Sequence, residues 1–351
     1  MIKNQFRELL PGLAVTLGIA IISFLTWWFL KSTWLKFSAL LWAFIFSLVV
    51  INVRPSLFEN RCKPGIDFSS SKLLRWSIAA LGLTVSASVW LQLGGIGLAM
   101  VLINLVVVFL LGILFCKYVL KMDDVLTVLI AVGTAICGAS AIAAVGPALR
   151  AKAEQMGLAL AAITLFGLLA MFGYPLLFNG PLATWLGNDP LAYGMWVGTG
   201  IHETAQVIAA ASQVDGALSI ATSAKFIRVF MIGPMVLVSL FIFLRFSKTE
   251  NKDKMKIVIP WFAVFFVLFT LINYGIALTP FGAKWSSFNG KFLSPLVTFM
   301  LAWSFAGIGM KVKFSQIRLL GLKAFLGGVV VAVIAGISSI LLVKYFWMPL
   351  S

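Results

Sequence analysis

The sequence predicts an all-α polytopic membrane protein, an inverted-repeat transporter built around two discontinuous or re-entrant segments. Three observations carry that expectation. Of 351 residues, 61% are hydrophobic and only 11% are charged, where a soluble domain carries about a quarter charged; mean hydropathy is +1.05. The apolar residues gather into eleven stretches, and about 20 apolar residues in a helix cross a bilayer core. Two of those stretches read as copies of each other, interrupted by glycine and small polar residues at the same places.

The net charge of +16 would suit nucleic acid only as a basic face on a soluble scaffold. Here the basic residues sit in short gaps between apolar runs, the pattern of cytoplasmic loops. The expected surroundings are therefore the lipid bilayer, with no nucleic-acid partner. The stretches fall at about 11–30, 37–53, 73–91, 94–116, 125–148, 157–178, 191–212, 217–245, 257–279, 292–310 and 322–343. The first reads as a retained helix: it is span-length, ends in Trp27 and Trp28, and lacks a small-residue cleavage site. The gaps 52–72 and 246–256 are the longest polar ones and read as cytoplasmic loops. Cys62, Cys116 and Cys137 have no regular spacing and imply neither a disulfide framework nor a metal site.

Two internal repeats emerge. At an offset of 227, Trp76 meets Trp303, Ser77 meets Ser304, Gly82 meets Gly309, Val85 meets Val312, Ser88 meets Ser315 and Gly94 meets Gly321. At an offset of 65, Gly133, Thr134 and Ile136 meet Gly198, Thr199 and Ile201. The chain then reads as one integral membrane domain, with 1–72 as N-terminal helices and a candidate scaffold, 73–178 as a first repeat and 191–343 as a second. With the N-terminus cytoplasmic and segments five and seven both re-entrant, inner loops hold 20 of the 27 Lys and Arg and outer ones 5. If both segments cross, the counts become 18 and 7. Charge favours the first arrangement slightly, and only two hairpins from opposite faces satisfy both repeats. The expectation is nine spans plus two hairpins; the alternative is about eleven spans with two broken helices.

Interrupted backbone at membrane depth is tolerated where it lines a cavity or is buried in protein, and helix N-termini at such breaks favour an anion. Gly133–Ser140 supplies Thr134, Cys137, Gly138 and Ser140 as candidate substrate contacts; close helix packing through small residues is the competing explanation. The second copy, Gly198–Gln206, contributes Thr199, His202 and Gln206, with Glu203 beside the chain's one histidine. Ionisable groups inside a span are costly and usually face a bundle interior, so His202 and Glu203 are candidates for proton or cation coupling. A buried polar pair closing the hairpin is the alternative. Lys225 and Arg228 share a helical face, with Arg228 roughly 15 Å into the next segment. Arg228 then either pairs with Glu203 or captures an oxyanion through its planar fork. Two cations against one carboxylate leave a positive surplus, which points to a small anionic substrate. Asn104 and Asn273 read as interhelical hydrogen bonds, and Gly233-Pro234 as a kink.

At GTAICGASAIAA, GTGIHETAQVIAAAS and AKFIRVFMIGP, the chain resembles the YeiH-like sulfate-exporter family of bacterial inner-membrane proteins over nearly its whole length. The resemblance implies a secondary carrier in the bacterial inner (plasma) membrane, distantly related to bile-acid and arsenite transporters. It also implies sulfate or another small sulfur-containing anion, such as a sulfonate, as substrate. In those relatives the two discontinuous segments cross near the centre, in competition with the hairpin topology. No GxxxxGK[ST] pattern is present, so no nucleotide is expected; no cofactor is expected beyond a coupling Na⁺ or H⁺. Carriers of this general type dimerise through a scaffold, which makes a homodimer an expected partner. Competing functions are a cation/proton exchanger using Glu203 and His202, and an intramembrane enzyme with Cys137 as nucleophile and His202 as base. A non-enzymatic carrier is the expectation.

Overall fold

The computed structural model describes residues 2–30, 37–58, 60–84, 88–246, 261–313 and 321–349. These residues form helices and short connections, with no strand among them. Val85 and Ser315 of the longer repeat and the gap from 247 to 256 lie outside the described residues. Among the described residues, five helices are long and apolar enough to cross a membrane: Arg7–Leu30, Leu93–Val119, Glu154–Phe178, Gly282–Gly309 and Leu322–Trp347. A sixth is obtained if the bent pair Ala217–Phe230 and Ile232–Phe243 is one span.

The chain divides into two compact units, Met1–Ala87 with Trp261–Arg318, and Ser88–Pro260 with Leu319–Ser351. The first holds α1 (Ile2–Leu30), α2 (Ala39–Val53), α3 (Lys63–Asp67), α4 (Leu74–Leu81), α13 (Trp261–Ala277), α14 (Gly282–Phe288) and α15 (Ser294–Gly309). Lipid tails are as apolar as leucine, so apolar helices gain no hydrophobic drive from one another and associate where small residues admit close contact. That is what this unit shows. A Cβ at Gly12 of α1 would stand 2.0 Å from the Cys62 carbonyl, and one at Gly65 of α3 would stand 2.3 Å from the Leu9 carbonyl. Gly307 of α15 rests on Ser69, and Gly309 on Ser47 of α2. Ser77 and Ser304, equivalent at the 227 offset, meet with their hydroxyl oxygens 3.5 Å apart. Trp303 donates from its indole nitrogen to Thr16, and Trp285 to Asn273.

The loop expected over 52–72 is helical from Lys63 onward, continuing through a π-helical turn at Phe68–Leu73 into α4. Its serines caused the misreading. Polar residues favour turns when they compete for the backbone, but Ser69 and Ser71 donate back to the carbonyls of Gly65 and Asp67 within the helix.

The second unit holds α5 (Ser88–Leu114), α6 (Asp124–Ala135), α7 (Ala139–Ala148), α8 (Ala153–Phe178), α9 (Pro190–Gly200), α10 (Thr204–Ala211), α11 (Ala217–Phe230), α12 (Ile232–Phe246) and α16 (Leu322–Leu342). Both expected interruptions are present, and both fold back. Tyr193, in the first turn of α9, donates to the carbonyl of Ala210 near the end of α10 at 2.9 Å; a continuous helix would separate these residues by about 25 Å. Asp123 caps α6 through one carboxylate oxygen, and its other oxygen accepts from Gln155 in the first turn of α8 at 2.6 Å. The chain therefore enters through α6 and returns through α7 to the same end. Between α11 and α12 the axis bends by 48°. Pro234 lies three residues past the break; its ring conflicts with the carbonyl four residues earlier and it offers no N–H, so the bend falls just ahead of it.

Gly12→Ala should lower stability by about 1–3 kcal/mol, the usual cost of overpacking, whereas Gly18→Ala on the same helix, with nothing within 4 Å of its Cβ position, should be neutral or slightly stabilising. Thermal unfolding of the two variants in detergent checks this; equal effects would show that the Gly12 contact does not govern the α1–α3 crossing.

Candidate functional site

Both hairpins turn where the backbone leaves helical geometry. After α6, Ile136 adopts φ −114°, ψ −89° and Gly138 adopts φ +66°, a left-handed value that glycine takes at little cost. The Gly138 amide donates to the Gly133 carbonyl at 2.8 Å. After α9, the Ile201 amide closes the last helical bond to the Val197 carbonyl, and the residue is then extended at φ −87°, ψ +146°, so the chain leaves the helix there and re-enters one at α10.

Each half-helix that enters the centre ends in carbonyls lacking an intrahelical partner and carrying partial negative charge. Lys225 and Arg228 of α11 meet them. The Lys225 ammonium donates to the carbonyls of Ile136 at 2.6 Å and Ile201 at 2.9 Å, and also to that of His202. Arg228 donates from Nε to Ala135 at 2.8 Å, from Nη2 to Thr134 at 2.6 Å and from Nη1 to Thr199. Both cations are 0% exposed. Carbonyl oxygens, and not Glu203, thus accept the hydrogen bonds of Arg228. Thr134 and Thr199 are equivalent at the 65 offset, as are Ile136 and Ile201, so each cation spans matching carbonyls of the two copies.

The approach of α11 needs small residues on α9. A Cβ at Gly198 would lie 2.5 Å from the Ala221 carbonyl, and one at Gly194 2.7 Å from that of Ala217. Glycines at i and i+4 share a helix face and bring the α11 backbone close enough for Arg228 to reach Thr199.

The remaining candidates divide. Glu203 caps α10, accepts from the Thr164 hydroxyl at 3.1 Å, and lies against Gly138, where a Cβ would stand 2.8 Å from its Cγ. The tips of the two hairpins therefore touch. Gln206 accepts from the Glu203 amide and donates to the Thr164 carbonyl. Thr199 Oγ1 lies 2.5 Å from Ser339 of α16. His202 is 1% exposed, and neither ring nitrogen has a hydrogen-bond partner; the Thr134 hydroxyl is likewise buried and unpartnered. Ser140, in the first turn of α7, is exposed, while Cys137 is buried. No hydrogen bond joins Cys137 to His202, so the arrangement that Cys–His chemistry requires is not assembled here.

Several supporting residues were not singled out from the sequence. Thr164 and Gly167 of α8 receive the Glu203–Gln206 pair; a Cβ at Gly167 would stand 2.0 Å from Gln206 Oε1. Ser338 of α16 donates to Asn104, which donates to the Thr199 carbonyl, so Asn104 makes the interhelical hydrogen bonds expected of it and Ser338 is the added partner. Tyr174 stacks on Trp196 at 4.0 Å and crowds Gly200. The 227 offset also pairs Lys117-Tyr118 with Lys344-Tyr345, each inside a π-helical turn, Phe115–Val119 and Val343–Trp347, that ends α5 or α16.

Comparison with known proteins agrees with the sequence resemblance. The model of the family described as conserved hypothetical protein 698 matches residues 11–328. A UPF0324 membrane protein of Pseudomonas aeruginosa is 34% identical over 333 residues, covering 92% of this chain and 90% of its own. One of Yersinia pestis is 33% identical, covering 90% and 87%, and the UPF0324 inner membrane protein YeiH of Salmonella typhi is 32% identical, covering 83% and 80%. No solved structure matches. With a family model spanning most of its length and relatives of this similarity, the chain belongs to the YeiH-like UPF0324 family of multi-pass inner membrane proteins.

Proposed function

We propose that this chain is a secondary carrier for a small anion, bound where the first turns of α7 and α10 approach each other. The observation that carries the reading is the clasp of Lys225 and Arg228 on the ends of α6 and α9. It places two positive charges, against the one carboxylate of Glu203, beside two helix N-termini that themselves favour negative charge. In this conformation each Arg228 nitrogen already donates to a carbonyl, so its charge attracts the anion chiefly through its field. The direct donors are the first amides of α7 with Ser140 and Thr134, and on the other hairpin Thr199, His202 and Gln206. Cys137 and Gly138 shape the first tip. Sulfate or a sulfonate is the substrate class that the family resemblance suggests. His202, buried with both ring nitrogens unpartnered, and Glu203 couple the cycle to H⁺ or Na⁺.

The same reading takes α6–α7 and α9–α10 as hairpins entering from opposite faces among nine spans, with the N-terminus cytoplasmic. Matching carbonyls held by one cation, and the contact of Ser77 with Ser304, support the inverted repeat.

Proteoliposome flux is the primary test. The chain should exchange sulfate or a sulfonate without any imposed gradient of other cations; turnover driven by a cation gradient in the absence of added anion would favour the exchanger instead. Arg228→Ala should leave the carbonyls of Thr134 and Ala135 unpartnered, each costing about 1–3 kcal/mol, and should abolish anion binding. Arg228→Lys retains charge but cannot span three carbonyls, so it should recover part of the binding and little of the stability; thermal shift with and without anion reads both. Glu203→Gln keeps an oxygen for Thr164 and removes the negative charge. It should tighten sulfate binding several-fold by calorimetry while making flux insensitive to the coupling-ion gradient. Gly167→Ala should displace Gln206 and depress transport at near-normal expression, and unaltered flux in that variant would remove the Glu203–Gln206 pair from the mechanism.

A further inference from the structure

Outside the hairpin site, an apolar groove of about 710 Å³ runs between α8 and α16. Its walls extend from Phe166 to Leu177 on one helix and from Val329 to Ile340 on the other. Each wall is twelve residues, eleven steps of about 1.5 Å, or about 16 Å at the helical rise. The hydrocarbon core of a bilayer is about 30 Å thick, so the groove is one leaflet deep. Leu169, Leu177, Val333 and Ile337 along its rim are exposed.

The two ends of the groove differ. Both helices run to their C-termini at the same end, where Trp185 closes the groove. There the Lys344 ammonium sits over the Trp185 ring, 5.7 Å from its centroid, and Tyr345 packs edge-on to the same ring at 6.1 Å. Ile340, the last wall residue, is four residues from Lys344, so the cation lies about 6 Å beyond the apolar wall, at headgroup depth. Tryptophan, tyrosine and lysine together are what the membrane–water interface selects. At the floor, Tyr174 stacks on Trp196, whose indole nitrogen donates to the Gly336 carbonyl.

We infer that this groove is a binding site for one anionic phospholipid, its acyl chain lying between α8 and α16 and its phosphate held at Lys344. An apolar channel one leaflet long, capped by one cation and two amphipathic rings, matches that molecule in length, polarity and charge. The site also has a mechanical consequence. The floor residue Trp196 belongs to α9, whose Thr199 carbonyl is held by Arg228, so a chain in the groove braces the second hairpin from its outer side.

The test uses the full chain purified in an uncharged detergent and titrated with palmitoyl-oleoyl phosphatidylglycerol or the phosphatidylcholine of identical chains, read by native mass spectrometry and thermal shift. The anionic lipid should bind about fivefold more tightly, as one basic residue at the interface implies. Lys344→Gln should bring it to the level of the zwitterionic lipid. Ala332→Phe, which fills the groove, should weaken both lipids, and Ala170→Leu on the opposite wall gives a milder version should the first fail to fold. Glycerol 3-phosphate alone should produce no shift. Equal affinity for the two lipids, unchanged binding in the filled variants, a full shift from the headgroup alone, or loss of a dimer without loss of lipid in the filled variants would each overturn the assignment; the last would make a second copy of this chain the occupant.

Discussion

Two buried cations hold the carbonyl ends of two broken helices, and the arrangement of the second unit depends on that clasp. A helix that stops inside a bilayer leaves carbonyls without partners, and in hydrocarbon no water is available to replace them. Lys225 and Arg228 solve this for α6 and α9 together, because both half-helices end within reach of one face of α11. The carbonyls in turn solve the problem of burying two positive charges at 0% exposure, which is costly without strong hydrogen-bond partners. Each half of the arrangement is costly in the absence of the other.

That mutual dependence explains where the glycines fall. Lys225 and Arg228 reach both hairpins from a helix that lies almost backbone to backbone with α9, and Gly194 and Gly198 permit this approach. Gly138 leaves room for Glu203, and Gly167 leaves room for Gln206. Each omitted side chain admits a polar group that the site requires. In the first unit the same device, at Gly12 with Gly65 and at Gly307 and Gly309, packs helices without introducing charge.

The two copies differ where chemistry is placed. Cys137-Gly138 in the first hairpin stands where the second has His202-Glu203. Leu160 and Ile163 of α8 occupy the positions, at the 65 offset, of Lys225 and Arg228. One copy thus supplies the cations, the carboxylate and the imidazole, and the other supplies a bare glycine turn and an exposed Ser140. The two copies thus share a backbone turn but not its chemistry.

The sequence by itself determined the helical class, the family, the two interrupted segments and the identity of the buried cations. Apolar length, the interrupted copies and the cost of charge in hydrocarbon are all properties of local stretches or of simple offsets. The loop at 52–72 was misread because its serines are satisfied inside a helix, a matter of geometry that composition does not record. Only the tertiary structure decided that Arg228 takes carbonyls and not Glu203, that each interruption folds back on itself, and that Thr164, Gly167, Asn104 and Ser339 support the tips. Backbone carbonyls are present at every position and leave no mark in a sequence, so which of them a cation will find depends on how closely distant helices approach.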